Sequence, residues 1–173
     1  KMHKNIRSIG VSAFCSCAGL TSIEISSNVK SIGNSAFASC KNLKEVHIND
    51  LAAWCSIDFN NNDLANPLYY ARNLYLNGNL ITNLVIPNYV KEIKGYSFYN
   101  CSCFTSVEIP NSVTSIGQYA FKGCEGLTSV VIPNSVTNIG MYAFYECSGL
   151  TNVVISDNVT RIGEGLFRGC SSL

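Results

Sequence analysis

Apolar and polar residues alternate along this chain in a pattern that restarts every 23 residues, as from Phe98 to Phe121 to Phe144. The pattern predicts one structural unit repeated end to end. In Leu127-Thr-Ser-Val130-Val131-Ile132-Pro133 the inward apolar residues recur at every second position, the period of a short strand with one buried face. Pro133 ends that strand, and Ser takes its place in other copies. Val136-Thr-Asn-Ile139-Gly140 then predicts a second extended segment. Gly140 is expected at the next corner, because glycine adopts backbone angles that other residues avoid. Ala143-Phe144-Tyr145-Glu146-Cys147 fits one tight helical turn, too short to be stable alone.

The same places recur throughout. Phe14, Phe37, Phe98, Phe121, Phe144 and Phe167 are each followed three residues later by a cysteine: Cys17, Cys40, Cys101, Cys124, Cys147 and Cys170. Three residues further on stands Leu20, Leu43, Phe104, Leu127, Leu150 or Leu173. Ile9-Gly10, Ile32-Gly33, Ile116-Gly117, Ile139-Gly140 and Ile162-Gly163 keep the same step, while Ile93 is followed by Lys94. One unit reads L-x-x-V/I-x-I-P/S-x-x-V-x-x-I-G-x-x-A-F-x-x-C-x-x. No single unit can bury its apolar face, so equivalent positions must stack, Phe on Phe and Cys on Cys. The prediction is a quasi-one-dimensional solenoid whose stability is a sum of neighbour contacts.

The interval from Phe37 to Phe98 is longer than the others and predicts a long variant unit at about residues 43–80. It opens normally with Leu43-Lys-Glu-Val46-His47-Ile48. Asp50 can then cap a short helix over Leu51-Ala-Ala-Trp54-Cys55. Asn60-Asn61-Asn62-Asp63 reads as a loop and Asn66-Pro67 as a turn. Leu74-Tyr75-Leu76-Asn77-Gly78 followed by Leu80 to Ile86 reads as a hairpin with Asn-Gly as its tight turn. Trp54 is read as a packing plug ahead of a ligand-binding role, since a Trp beside a helical turn is usually buried.

With these positions in hand, the unit resembles the BspA-like leucine-rich repeat over essentially the whole chain. Long units with a Trp, an Asn-Pro-Leu and a Leu-Tyr-Leu-Asn-Gly also occur in that family, and here they are Trp54, Asn66-Pro67-Leu68 and Leu74 to Gly78. The resemblance implies a right-handed leucine-rich-repeat coil stack, with short β-strands on the concave face and short extended segments and helical turns elsewhere. It also implies a cell-surface or secreted protein of host-associated bacteria or a protozoan parasite, associated with adhesion. The expected organisation is a single leucine-rich-repeat domain over residues 1–173. It is expected to be a piece of a longer array, because no polar cap of the kind solenoids need is visible at either end.

Composition narrows the chemistry. With 47% hydrophobic residues the chain can fill a sizeable core, and with only 13% charged residues the polar work falls to Asn and Ser. Those side chains satisfy backbone groups locally, which suits closely spaced turns. A net charge of +1 without clustered Lys and Arg argues against a nucleic-acid partner. No apolar run is long enough for membrane insertion, and the start at Lys1 leads into no signal-peptide segment.

Nine cysteines invite a chemical reading. The six periodic ones behave as small buried hydrophobes, and their parallel side chains are poorly placed for disulfides. Cys15-Ser-Cys17 and Cys101-Ser-Cys103 are too tightly spaced for the usual structural zinc site, and His3 and His47 lie far from both in sequence. No nucleophile motif and no phosphate-binding glycine loop is present, so no enzyme activity and no cofactor is expected. Glu24 and Glu108 share a predicted face but lie several coils apart, beyond the reach of paired-carboxylate chemistry. Asn100-Cys-Ser102 and Asn158-Val-Thr160 match the glycosylation pattern, yet both overlap repeat positions.

Function is therefore sought on the outward side chains of the first strand of each unit. In order these are Ser22 and Glu24, Glu45 and His47, Asn83 and Val85, Ser106 and Glu108, Ser129 and Val131, and Asn152 and Val154. They run from polar to apolar along the array and form the expected protein-binding concave face. Tyr96, Tyr119 and Tyr142 make a second ladder, open to an interface role and to a structural one. The expected function is adhesion to a host matrix or cell-surface protein, with a structural spacer as the alternative.

Overall fold

A computed structural model describes residues 2–173 as a β-solenoid in which each ordinary unit is one coil. The first strands of the units are β2 (Ser22–Ile25), β4 (Glu45–Ile48), β7 (Asn83–Val85), β9 (Ser106–Glu108), β11 (Ser129–Ile132) and β13 (Asn152–Ile155). The second segments are two-residue strands: β1 (Ser8–Ile9), β3 (Ser31–Ile32), β8 (Glu92–Ile93), β10 (Ser115–Ile116) and β12 (Asn138–Ile139). Like pairs with like, parallel and in register with the repeat, so that Val130 lies against Val153 and Ile116 against Ile139. Pro87, Pro110 and Pro133 end the first strand as expected. Their carbonyls accept the N–H of Val90, Val113 and Val136 at 3.0 Å, closing a tight turn in each coil.

The segment around each periodic Phe differs from a helix. It is a run of consecutive turns whose N–H groups alternate between coils. Tyr119, Phe121 and Gly123 donate to Met141, Ala143 and Tyr145 of the next coil, while Ala120, Lys122 and Cys124 donate back within their own. All six of these donors are satisfied, half of them across the stack. The alternation requires a left-handed residue two before and two after each Phe. Ser12, Ser35, Tyr96, Tyr119 and Tyr142 hold the first place, and Ser16, Ser39, Asn100 and Glu146 the second, all with positive φ. Only Gly123, Gly165 and Gly169 avoid the penalty of about 1–2 kcal/mol that a side chain carries there.

The Ile-Gly pairs have another cause than the one expected. Gly117 and Gly140 are outside the left-handed region, but a Cβ on Gly140 would overlap the backbone nitrogen of Gln118 in the preceding coil. On Gly33 it would lie 2.6 Å from the backbone nitrogen of Val11. Close approach of neighbouring coils excludes a side chain here. Lys94 follows the long unit instead, and its N–H donates to the Cys55 carbonyl at 3.0 Å.

Stacking fills the interior. Phe14 and Phe37 stack with centroids 5.2 Å apart, as do Phe98 with Phe121 and Phe121 with Phe144, and Phe144 with Phe167 at 5.8 Å. The thiols of Cys40, Cys124, Cys147 and Cys170 donate to the carbonyls of Phe14, Phe98, Phe121 and Phe144 in the preceding coil, at 3.0–3.2 Å.

The long unit carries α1 (Leu51–Cys55), a 3-10 turn at Asp63–Ala65, α2 (Leu68–Ala71), and the hairpin strands β5 (Leu74–Leu76) and β6 (Asn79–Leu80). Asp50 caps α1 by accepting the Ala53 N–H at 2.9 Å. Trp54 is buried, edge-on to Phe59, and its indole N–H donates to the Ser97 carbonyl at 2.9 Å. Asn77 and Gly78 both have positive φ, as the tight hairpin turn demands. The second hairpin strand is shorter than expected. It ends at Leu80, and Asn83–Val85 joins a different sheet.

Candidate functional site

All twelve outward residues expected from strand alternation lie on the non-core positions of their strands. They do not form one continuous ladder. The hairpin divides them between two four-stranded sheets, one ordered β2-β4-β5-β6 and the other β7-β9-β11-β13. The polar-to-apolar gradient is thus two separate faces.

On the first face, Glu24 lies opposite His47, and Ser22 opposite Glu45. His47 Nε2 is 3.0 Å from the Glu45 carboxylate. The position opposite His47 on β5 is Tyr75, whose ring stacks on the imidazole with centroids 4.7 Å apart. Tyr75 is an outward residue that the sequence reading missed. Its signal was present: Leu74-Tyr75-Leu76 repeats the in-out-in order of Val46-His47-Ile48. An open cavity of about 700 Å³ reaches Ser22, Glu24 and His47 on this face and Asn77 and Gly78 of the hairpin.

On the second face the inner row is Asn83, Ser106, Ser129 and Asn152. Ser106 Oγ donates to the Asn83 amide oxygen, and Asn83 Nδ2 to Glu108 at 3.4 Å. Thr105, Thr128 and Thr151 donate to carbonyls of Thr82, Thr105 and Thr128, tying each coil to the one before. The outer row runs Val85, Glu108, Val131, Val154, and its three valines are 50%, 56% and 49% exposed. A groove of about 620 Å³ between Val85, Glu108 and Val131 has Pro87, Ile109 and Pro110 in its wall. A carboxylate set in a stripe of exposed β-branched side chains is unusual on a solvated sheet, where this row is ordinarily polar.

The tyrosine ladder packs ring against ring along the stack. Tyr96 is buried, and Tyr119 stacks 5.1 Å from both Tyr96 and Tyr142. Burial pushes the Tyr96 hydroxyl up to about 12 and Tyr99 higher still. Lys122 donates to the Tyr99 hydroxyl at 2.8 Å and lies over the Tyr145 ring. Both glycosylation-pattern asparagines are engaged in the coil: Asn158 Nδ2 donates to Asn134 O at 2.7 Å and Asn100 Nδ2 to Tyr69 O at 3.4 Å.

All nine cysteines are free thiols. Burial pushes Cys55 up to about 12 and raises Cys40 and Cys124, as inert core thiols require. Cys103 goes the other way, lowered to about 7 by a hydrogen bond from the Cys101 thiol, 3.4 Å away. Among the described residues no group of three or more His, Cys, Asp or Glu side chains is placed to hold a metal ion. Among the described residues no helix is long and apolar enough to cross a membrane.

A stack of parallel β-coils with outward ladders on its strand side defines a leucine-rich-repeat solenoid. Residues 1–67 and 70–173 match the profile of the BspA type leucine rich repeat region in six copies, and the chain belongs to that family. Repeats of this kind are protein-interaction modules. Among solved structures, a leucine-rich repeat protein from Bacteroides ovatus is 31% identical, covering 100% of this chain and 36% of its own, with a TM-score of 0.53. One from Eubacterium ventriosum is 22% identical, covering 99% of this chain and 63% of its own, with a TM-score of 0.57. The T. pallidum leucine rich repeat protein is 27% identical over 97% of this chain and 61% of its own, with a TM-score of 0.48. The chain therefore spans less than two thirds of each of these proteins. Among curated proteins none matches it.

Proposed function

We propose that this chain is a cell-surface or secreted protein-binding module that adheres to a host matrix or cell-surface protein through the outward faces of its first strands. The observation that carries the reading is the second face, where Val85, Val131 and Val154 are half-exposed around Glu108. Such a stripe favours a partner that brings apolar side chains and a cation to the same place. His47 stacked on Tyr75 supplies an aromatic anchor on the first face. Membership of the BspA type family supports placement outside the cell.

The test is binding of the chain to immobilised host matrix proteins by interferometry, beside a Glu24→Lys, His47→Ala, Glu108→Lys variant with an unchanged melt. Saturable binding that the variant loses supports adhesion through these faces. Binding that the variant retains places the contact elsewhere on the coil. Absence of binding across the panel favours a structural spacer.

A further inference from the structure

The cysteine ladder is broken at one internal step. Cys40, Cys124, Cys147 and Cys170 each donate to a Phe carbonyl of the coil before, but the coil before Cys101 is the long unit, which has no periodic Phe. The Cys101 sulfur lies 3.4 Å from that of Cys103 instead. A disulfide needs about 2 Å, so closure takes a shift of little more than 1 Å. The two sulfurs are also unequal. Cys101 is fully buried, whereas Cys103 is only partly buried, at the corner leading into β9. The Leu74 N–H faces both.

We propose that Cys101 and Cys103 form a redox-active dithiol that closes to an intrachain disulfide on meeting a small-molecule disulfide. The Cys103 thiolate attacks one sulfur of the small disulfide, whose S–S bond breaks and releases one thiolate. Cys101 then loses its proton to solvent and attacks the Cys103 sulfur, expelling the second small thiolate. Two protein thiols are oxidised and one small disulfide is reduced to two thiols. Because the second attack is internal, burial of Cys101 does not obstruct it. Cys103 keeps thiolate character near neutral pH, which suits it as the attacking sulfur.

The chain contains its own control. Cys15-Ser16-Cys17 is the same tripeptide two residues earlier in the repeat register, and there the Cys15 sulfur faces the Ser16 hydroxyl at 3.6 Å. Closure at Cys101–Cys103 also falls at the joint between the two outward faces. Ser102 N–H donates to Arg72 O at 3.0 Å, and Leu74 begins the last parallel strand of the first sheet.

The native protein should be incubated with graded ratios of oxidised to reduced glutathione, acid-quenched, alkylated after unfolding and mapped by mass spectrometry without reduction. The expected result is loss of two hydrogens from the peptide carrying Cys101 and Cys103, at ratios that leave Cys15 and Cys17 alkylated. Native iodoacetamide labelling of Cys103 should rise about tenfold from pH 6 to pH 8, as its lowered titration near 7 requires. Cys103→Ser, an isosteric change at a partly buried position, should abolish closure with little change in the melt, while Cys15→Ser should leave closure intact. Cys103 trapped only as its glutathione adduct with Cys101 still alkylated would overturn the proposal. So would closure of Cys15 with Cys17 at equal or lower ratios, or no oxidation of the pair at any ratio.

Discussion

Truncation of Phe121 to Ala probes the stack where it is most regular. Phe121 is fully buried between the rings of Phe98 and Phe144, each 5.2 Å away, with interplanar angles of 14° and 1°. Removing it deletes the buried ring and leaves a slot walled by two ring faces that cannot close without shortening the coil spacing, which the backbone ladder fixes. The expected loss is about 3–5 kcal/mol, which for a chain of this size lowers Tm by roughly 6–20 °C. Phe167 is the contrast. It is partly buried and stacks on Phe144 alone, at 5.8 Å, so Phe167→Ala should cost less than half as much. Thermal and urea melts followed by far-UV circular dichroism measure both. Hydrogen exchange should show the units after Phe121 losing protection before those ahead of it. Equal losses for the two variants, or a Phe121→Ala melt matching the parent, would refute the neighbour-sum account of stability.

Two further outcomes follow from the same geometry. Gly140→Ala should destabilise the protein by about 1–3 kcal/mol because its Cβ meets the Gln118 backbone, whereas Gly10→Ala, with nothing within 4 Å, should change stability by less than about 0.5 kcal/mol; matching urea midpoints for the two would refute close coil approach as the cause. Tyr96 keeps its proton in the folded state up to about 12, above the ordinary value of 10.0, so the stability it contributes is complete below pH 10 and falls as pH rises from 10 through 12. The alkaline loss of β-signal should therefore be less steep over that range in Tyr96→Phe than in the parent, and identical alkaline transitions would contradict the burial of Tyr96.

The repeat was legible because stacking makes each position its own evidence: a Phe is informative once, and decisive when Phe98, Phe121, Phe144 and Phe167 keep one spacing. The outward faces followed from alternation alone, since a strand with one buried side has only one choice for the other. What the sequence hid was the backbone between strands. A run such as Gln118-Tyr119-Ala120-Phe121-Lys122 has no glycine at its left-handed Tyr119, so its turns looked helical. The Tyr119 penalty is accepted because the stacked ring and the N–H bond to Met141 are gained only in the assembled coil. Gly140 was misread for the converse reason, as the atom that excludes its Cβ belongs to a residue of another coil. Tyr75 was overlooked because Leu74–Leu76 was read only as one arm of a hairpin, whereas β5 also continues the parallel sheet from β4.

The long unit determines how the two faces relate. On its first side it must mimic a coil to units that expect one, and it does so with side-chain amides in place of backbone. Asn60 Nδ2 donates to Ile32 O at 3.0 Å, and Asn62 Oδ1 accepts the Ser35 N–H at 3.1 Å. On its second side Asn66, fully buried, donates to Tyr96 O at 2.6 Å beside the Trp54 bond to Ser97. These bonds are unrepeated, and those of Asn66 and Trp54 are buried, so loss of either side chain leaves an unsatisfied polar group with no neighbouring copy to share the load. A solenoid built from identical steps distributes strain along its length, whereas this one concentrates its specific contacts at one joint. The β6 edge, antiparallel and ending at Leu80, stops the first sheet there. The joint is therefore stiff by side-chain bonding yet discontinuous in its sheet, which holds the His47–Tyr75 face and the valine face in a fixed relation without merging them into one surface.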